Sequence, residues 1–162
     1  DFAGRAGPHL EELTSSCGRE VVQYLGMLPH AEALRATAAA GVNVIILPKI
    51  PGSENDTTAK IYECLGSNRP ILAAVPLDGA AAAVLKQFDG VWLCDPDDVE
   101  GIARSMAEIH QHWLDGKSHV RRPAERLQEF TREHQAQQLA ACLDLTLPLQ
   151  RRRIGDDQCT RC

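Results

Sequence analysis

Short apolar runs bounded by Gly, Pro and Asp alternate along this chain with longer stretches in which apolar residues recur every three or four positions. Runs over 21–25, 42–47, 70–76 and 91–94 read as strands, and 2–4 reads as the end of one. The run Val42-Asn43-Val44-Ile45-Ile46-Leu47 is nearly continuous, which predicts a strand covered on both faces, and 21–25 reads as a short buried strand. Between the runs fall helices: 8–16 opening at Pro8, one after Pro29 with Ala31, Leu34 and Ala38 on one face, and one from about Thr57 to Gly66. Next come an Ala-rich helix over 80–87 and a helix over 99–114, capped by Asp97 or Asp98, with Ile102, Met106, Ile109 and Trp113 at helical spacing. A last helix over 124–145 carries Leu127, Phe130, Leu139, Cys142 and Leu143. About five strand–helix alternations with short connections predict the α/β class, a Rossmann-like three-layer sandwich with a mostly parallel sheet. Ligands of such sheets bind outside the carboxyl ends of the strands, which places 4–7, 26–29 and 51–58 along a common rim.

The segment 48–76 concentrates the chemistry. A strand runs into the loop Lys49-Ile50-Pro51-Gly52-Ser53-Glu54-Asn55-Asp56, which opens directly onto a helix that Asp56, Thr57 or Thr58 is placed to cap. The first turn of a helix leaves N–H groups unpaired and carries the positive end of the helix dipole, so this arrangement suits an anion. Lys60 adds a cation for a phosphate, and Glu63, one turn on, is a carboxylate able to accept hydrogen bonds from sugar hydroxyls. Together these residues point to a nucleotide-sugar site.

The stretch Thr58-Ala59-Lys60-Ile61-Tyr62-Glu63-Cys64-Leu65-Gly66-Ser67-Asn68-Arg69-Pro70-Ile71-Leu72-Ala73 resembles the donor-site segment of the group 1 (family 4) glycosyltransferases. These are retaining enzymes of the GT-B fold, and their segment reads P-x-K-hydrophobic-aromatic-E followed by a basic residue, Pro and a hydrophobic. The likeness runs from about Phe2 to Leu147. Phe2-Ala3-Gly4-Arg5-Ala6-Gly7-Pro8 is similar to the family's second strand and turn, Tyr24-Leu25-Gly26-Met27-Leu28-Pro29 to the segment bordering the nucleobase, and Phe130-Thr131-Arg132-Glu133 to the start of the closing helix. The resemblance implies that the chain is half of a GT-B fold, the donor-binding domain, lacking its first strand. It implies that Glu63 binds the ribose, that Gly4, Gly26, Met27, Leu28, Thr57 and Thr58 line the donor, and that Lys60 acts on the diphosphate. Eight residues before Glu63, where the family often has an acidic residue serving the transferred sugar, stands Asn55; Glu54 is one residue off. The family's diphosphate-gripping Arg and Lys segment and its acceptor-binding domain have no counterpart here, so the expectation is a weak donor binder that is catalytically silent alone. No metal or other cofactor is expected, since the nucleotide-sugar is a substrate.

Composition narrows the alternatives. A length of 162 residues suits one domain, expected over 1–147, with 148–162 a disordered tail. A formal net charge of -5 argues against a nucleic-acid surface, because neutralising phosphates takes an excess of Lys and Arg. The basic cluster Arg151-Arg152-Arg153 and the C-x-x-C pair Cys159 and Cys162 both fall in the expected tail. Six scattered cysteines suit small buried hydrophobes in a reducing compartment; with no bilayer-length apolar run, a cytoplasmic location is expected. His30, His110, His112, His119 and His134 show no metal-ligand spacing, and the chain has no nucleophile elbow or P-loop. The competing expectation is a non-catalytic α/β module that binds a partner protein or a second copy of itself, because a sheet lacking its central strand must close the gap or expose an unpaired edge.

Overall fold

A computed structural model of the chain describes residues 1–18 and 20–146, which divide into two compact units, Asp1–Arg121 and the residues from Arg122 onward. The expected tail, with Arg151, Arg152, Arg153, Cys159 and Cys162, lies outside the described residues. In the first unit the elements are β1 (Phe2–Ala3), α1 (Leu10–Cys17), β2 (Tyr24–Gly26), α2 (His30–Ala39) and β3 (Asn43–Ile46). A 3-10 turn (Ser53–Asn55), α3 (Ala59–Gly66), β4 (Ile71–Ala74), α4 (Ala80–Leu85), β5 (Val91–Cys94) and α5 (Val99–Leu114) follow. Every paired strand is parallel, so the class is α/β as the alternation of elements predicts.

The strands form two sheets, β1-β2 and β3-β4-β5, where one continuous sheet was expected. Parity along β3 shows which of its backbone groups no strand pairs among the described residues. The Asn43 N–H donates to the Pro70 carbonyl and the Leu47 N–H to the Ala74 carbonyl, both at 2.9 Å. Successive residues of a strand point their backbone groups to opposite edges, so Val44 and Ile46 turn theirs away from β4. Their side chains are also largely open, at 56% and 66% exposure, which corrects the expectation that this strand is covered on both faces.

The core lies around the three-stranded sheet. Leu72 and Cys94 pack with Ile109 of α5, and Val42, Trp92 and Ile102 close around them. Helix α3 buries Ile61 and Leu65 completely, one turn apart on one face. Ile71, Val75 and Leu85 are fully buried as well. The buried Asn43 is satisfied: its Nδ2 donates to the Thr37 carbonyl at 3.3 Å and to Ser67 Oγ at 3.0 Å, tying β3 to α2 and to the end of α3. Helix α5 starts where expected because Asp98 Oδ1 accepts the Gly101 N–H at 2.9 Å.

Ahead of Asn43 no described residue is buried. The expected buried strand over 21–25 is instead Tyr24–Gly26 and largely exposed. Val21 and Val22 are drawn out of the ladder because both of their N–H groups donate to the Gly18 carbonyl in a turn. Of the cysteines described, Cys64 and Cys94 are buried as expected, whereas Cys17 and Cys142 are exposed.

The second unit holds α6 (Ala124–Gln128) and α7 (Arg132–Thr146). The continuous helix expected over 124–145 is interrupted, and Thr131 Oγ1 accepts the His134 N–H at 3.2 Å, which caps a new helix.

Candidate nucleotide-sugar site

Helix α3 begins at Ala59, with Thr58 in extended backbone as its N-cap. No side-chain oxygen caps it, in contrast to the expected role for Asp56, Thr57 or Thr58. The Ile61 N–H is met by the Thr58 carbonyl at 3.0 Å, while those of Ala59 and Lys60 precede the first possible intrahelical bond. Ala59 and Lys60 are exposed, so the helix start faces solvent. Lys60 makes no ion pair among the described residues and is exposed.

Glu63 lies one turn on, its side chain 35% exposed, with Oε1 4.0 Å from His30 Nδ1. His30 is the first residue of α2, directly after the 26–29 segment. The first residue of α2 therefore lies beside α3, although β2 and β3 belong to separate sheets. His30, given no chemistry on sequence grounds, is the bridge. The other expected donor-lining residues gather at the ends of β1 and β2. The Gly4 N–H donates to the Gly26 carbonyl at 2.8 Å, and the Tyr24 hydroxyl donates to the Gly4 carbonyl at 2.7 Å. Both glycines have positive φ, 132° at Gly4 and 68° at Gly26, which suits residues without a Cβ. Met27 is exposed and Leu28 half-buried. Asn55 and Glu54 are exposed in the 3-10 turn, and Thr57 is exposed between that turn and α3.

A charged cluster that the sequence reading missed sits at the same end of the sheet. Lys49, in the loop after β3, donates through Nζ to Asp95 Oδ2, just past β5, and lies 3.7 Å from Asp97 Oδ2. Asp95 Oδ1 also accepts the Asp97 N–H at 3.0 Å. The bond from Lys49, then that from the Asp97 amide, hold the Asp95 carboxyl below its ordinary value. A carboxyl lowered on folding contributes stability above its unfolded value, about 4, and loses it as the pH falls through the lower folded value. In Lys49→Met, the NMR titration midpoint of Asp95 is expected to rise toward the ordinary carboxylate value. An unchanged midpoint would show that Lys49 is not the cause. No sequence signal links two residues 46 positions apart whose meeting depends on the strand order β3-β4-β5.

Among the described residues no group of His, Cys, Asp or Glu is arranged to hold a metal ion, and no helix is long and apolar enough to cross a membrane. Two surface depressions of the first unit lie elsewhere. One, of about 510 Å³, lies between α1 and the 22–25 segment; the other, of about 450 Å³, lies beside Gly90, Trp92 and His119. The fold thus belongs to the class of parallel α/β proteins with a candidate anion site at a strand-to-helix turn. Comparison with protein-family models, with curated proteins and with solved structures finds no match to this chain.

Proposed function

We propose that this chain supplies the donor-binding half of a retaining glycosyltransferase that moves a sugar from a nucleotide-sugar to an acceptor. The observation that carries the reading is the solvent-facing start of α3 after a parallel strand, uncapped by any side chain, on a helix that also carries Lys60 and Glu63. Support comes also from the resemblance of residues 58–73 to the donor segment of the group 1 glycosyltransferases. In this reading the amides and Lys60 meet the negative charge that grows on the leaving diphosphate, the kind of preorganised stabilisation that contributes most to catalysis. Glu63 accepts hydrogen bonds from the ribose hydroxyls, with His30 beside it. Asn55 faces the transferred sugar, and Gly4, Gly26, Met27 and Leu28 border the nucleotide. The acceptor and any base are supplied by another domain.

Calorimetric titration with a panel of uridine- and guanosine-diphosphate sugars tests this. The wild-type chain is expected to bind at least one of them, and Glu63→Ala to weaken that binding by about tenfold, the loss of one hydrogen bond to a charged group. Absence of binding by the folded wild type to every member of the panel would sink the donor reading.

A second reading is a non-catalytic module that pairs with a partner or with another copy of itself. It is favoured by the open backbone edge of β3 and the exposure of Val44 and Ile46. A folded chain that ignores every nucleotide-sugar but sediments as a dimer would support it.

A further inference from the structure

The loop from β3 to α3 is tied down at points contributed by two other connections of the sheet. Strand β4 lies between β3 and β5, and all three run the same way. A side chain from the loop after β3 that reaches the loop after β5 therefore spans the carboxyl end of β4, a distance of about two strand spacings, or ~10 Å. Lys49 does this, through its contact with Asp95 and its approach to Asp97. Further along, the 3-10 turn rests on the connection after β4. A Cβ built on Gly79 would lie 3.1 Å from the Glu54 carbonyl oxygen and 3.2 Å from that of Pro76, so the close approach requires glycine or a small shift. Within the loop, the buried Ser53 accepts the Ile50 N–H through Oγ at 3.2 Å and donates its own N–H to the Ile50 carbonyl at 2.9 Å.

We propose that residues 48–58 form a strap across the carboxyl end of β4, latched by Lys49 on Asp95, and that rising ionic strength releases the latch while the sheet stays intact. The latch is the electrostatic tie among these contacts. Both its partners reach solvent, with side-chain exposures of 42% and 28%, whereas the other ties are hydrogen bonds and packing. Exposed pairs of this kind are screened by salt, and their modest strength makes opening frequent. The strap rests on the strand order and the ion pair, independently of whether a donor binds.

Amide hydrogen exchange read by NMR tests the strap directly. At 20 mM salt the Ile50 and Ser53 amides are expected to exchange about two- to fivefold faster in Asp95→Asn than in wild type, the fold-change equivalent to one exposed pair. At 500 mM salt the wild type is expected to approach the variant, which itself changes little. The amides of Ile71 and Val75, bonded across the sheet to Gly90 and Cys94, serve as the internal reference and are expected to hold their rates. Lys49→Met makes the same test from the other side and leaves the Asp95 to Asp97 bond in place. Equal Ile50 and Ser53 rates in wild type and in Lys49→Met at low salt would overturn the proposal, as would a wild-type rate indifferent to salt.

Discussion

Leu65→Ala is expected to lower the unfolding free energy by about 2–5 kcal/mol, as a urea titration followed by circular dichroism would show. Leu65 has no solvent exposure, and neither does Ile61, its neighbour one turn back on α3. Truncation there removes three carbons' worth of contacts and leaves a void that a close-packed core refills only in part. Against a typical total of about 5–15 kcal/mol, the loss is a large share. The same helix supplies its own control, because Lys60 points to solvent and its replacement by alanine is expected to change stability by less than about 0.5 kcal/mol. If the two substitutions cost the same, α3 does not dock through the face described.

Gly90→Ala is expected to cost about 2–4 kcal/mol from two separable causes. The first is conformational: Gly90 has φ of 68°, in the left-handed region where a Cβ is strained. The second is steric: a Cβ at this position would run into both methyl groups of Val120. Val120 has little freedom to yield, since its N–H donates to the Asn68 carbonyl at 2.9 Å, and Gly90 itself accepts the Ile71 N–H at 2.9 Å where β4 begins. Adding Val120→Ala removes the collision and leaves the backbone strain. The double variant is therefore expected to be less destabilised than the sum of the two singles, a difference that a double-mutant cycle measures. Strict additivity would mean that the collision contributes nothing.

The parts of the fold legible in the sequence are those decided locally. The strands at 43–46, 71–74 and 91–94 follow from short apolar runs between breakers, and α5 begins at Val99 because Asp98 caps it. Pairing between strands is decided by tertiary contacts, so nothing in the runs themselves shows that β1 and β2 pair apart from β3. The turn at Gly18 was hidden for a related reason: Val21 and Val22 have strong strand preferences, and two backbone bonds to one carbonyl override them. The interruption before α7 rests on Thr131, which the likeness to a closing-helix start marked even as apolar periodicity ran through it. That Lys60 and Glu63 share a helix was legible, because the run 57–66 is helical by its own pattern. His30 and Lys49 matter through partners distant in sequence, and only the fold supplies those.

Packing is distributed unevenly along the chain. With β1 of two residues, β2 of three, and no buried side chain among the described residues ahead of Asn43, the stretch before α2 is held by surface contacts and a few main-chain bonds. Such regions open by themselves at a small fraction of the global unfolding cost. A slow protease would therefore trim this leading stretch first and leave the β3-to-α5 body standing. Gly4 and Gly26 would detach with it, while the amides at the head of α3 kept their framework.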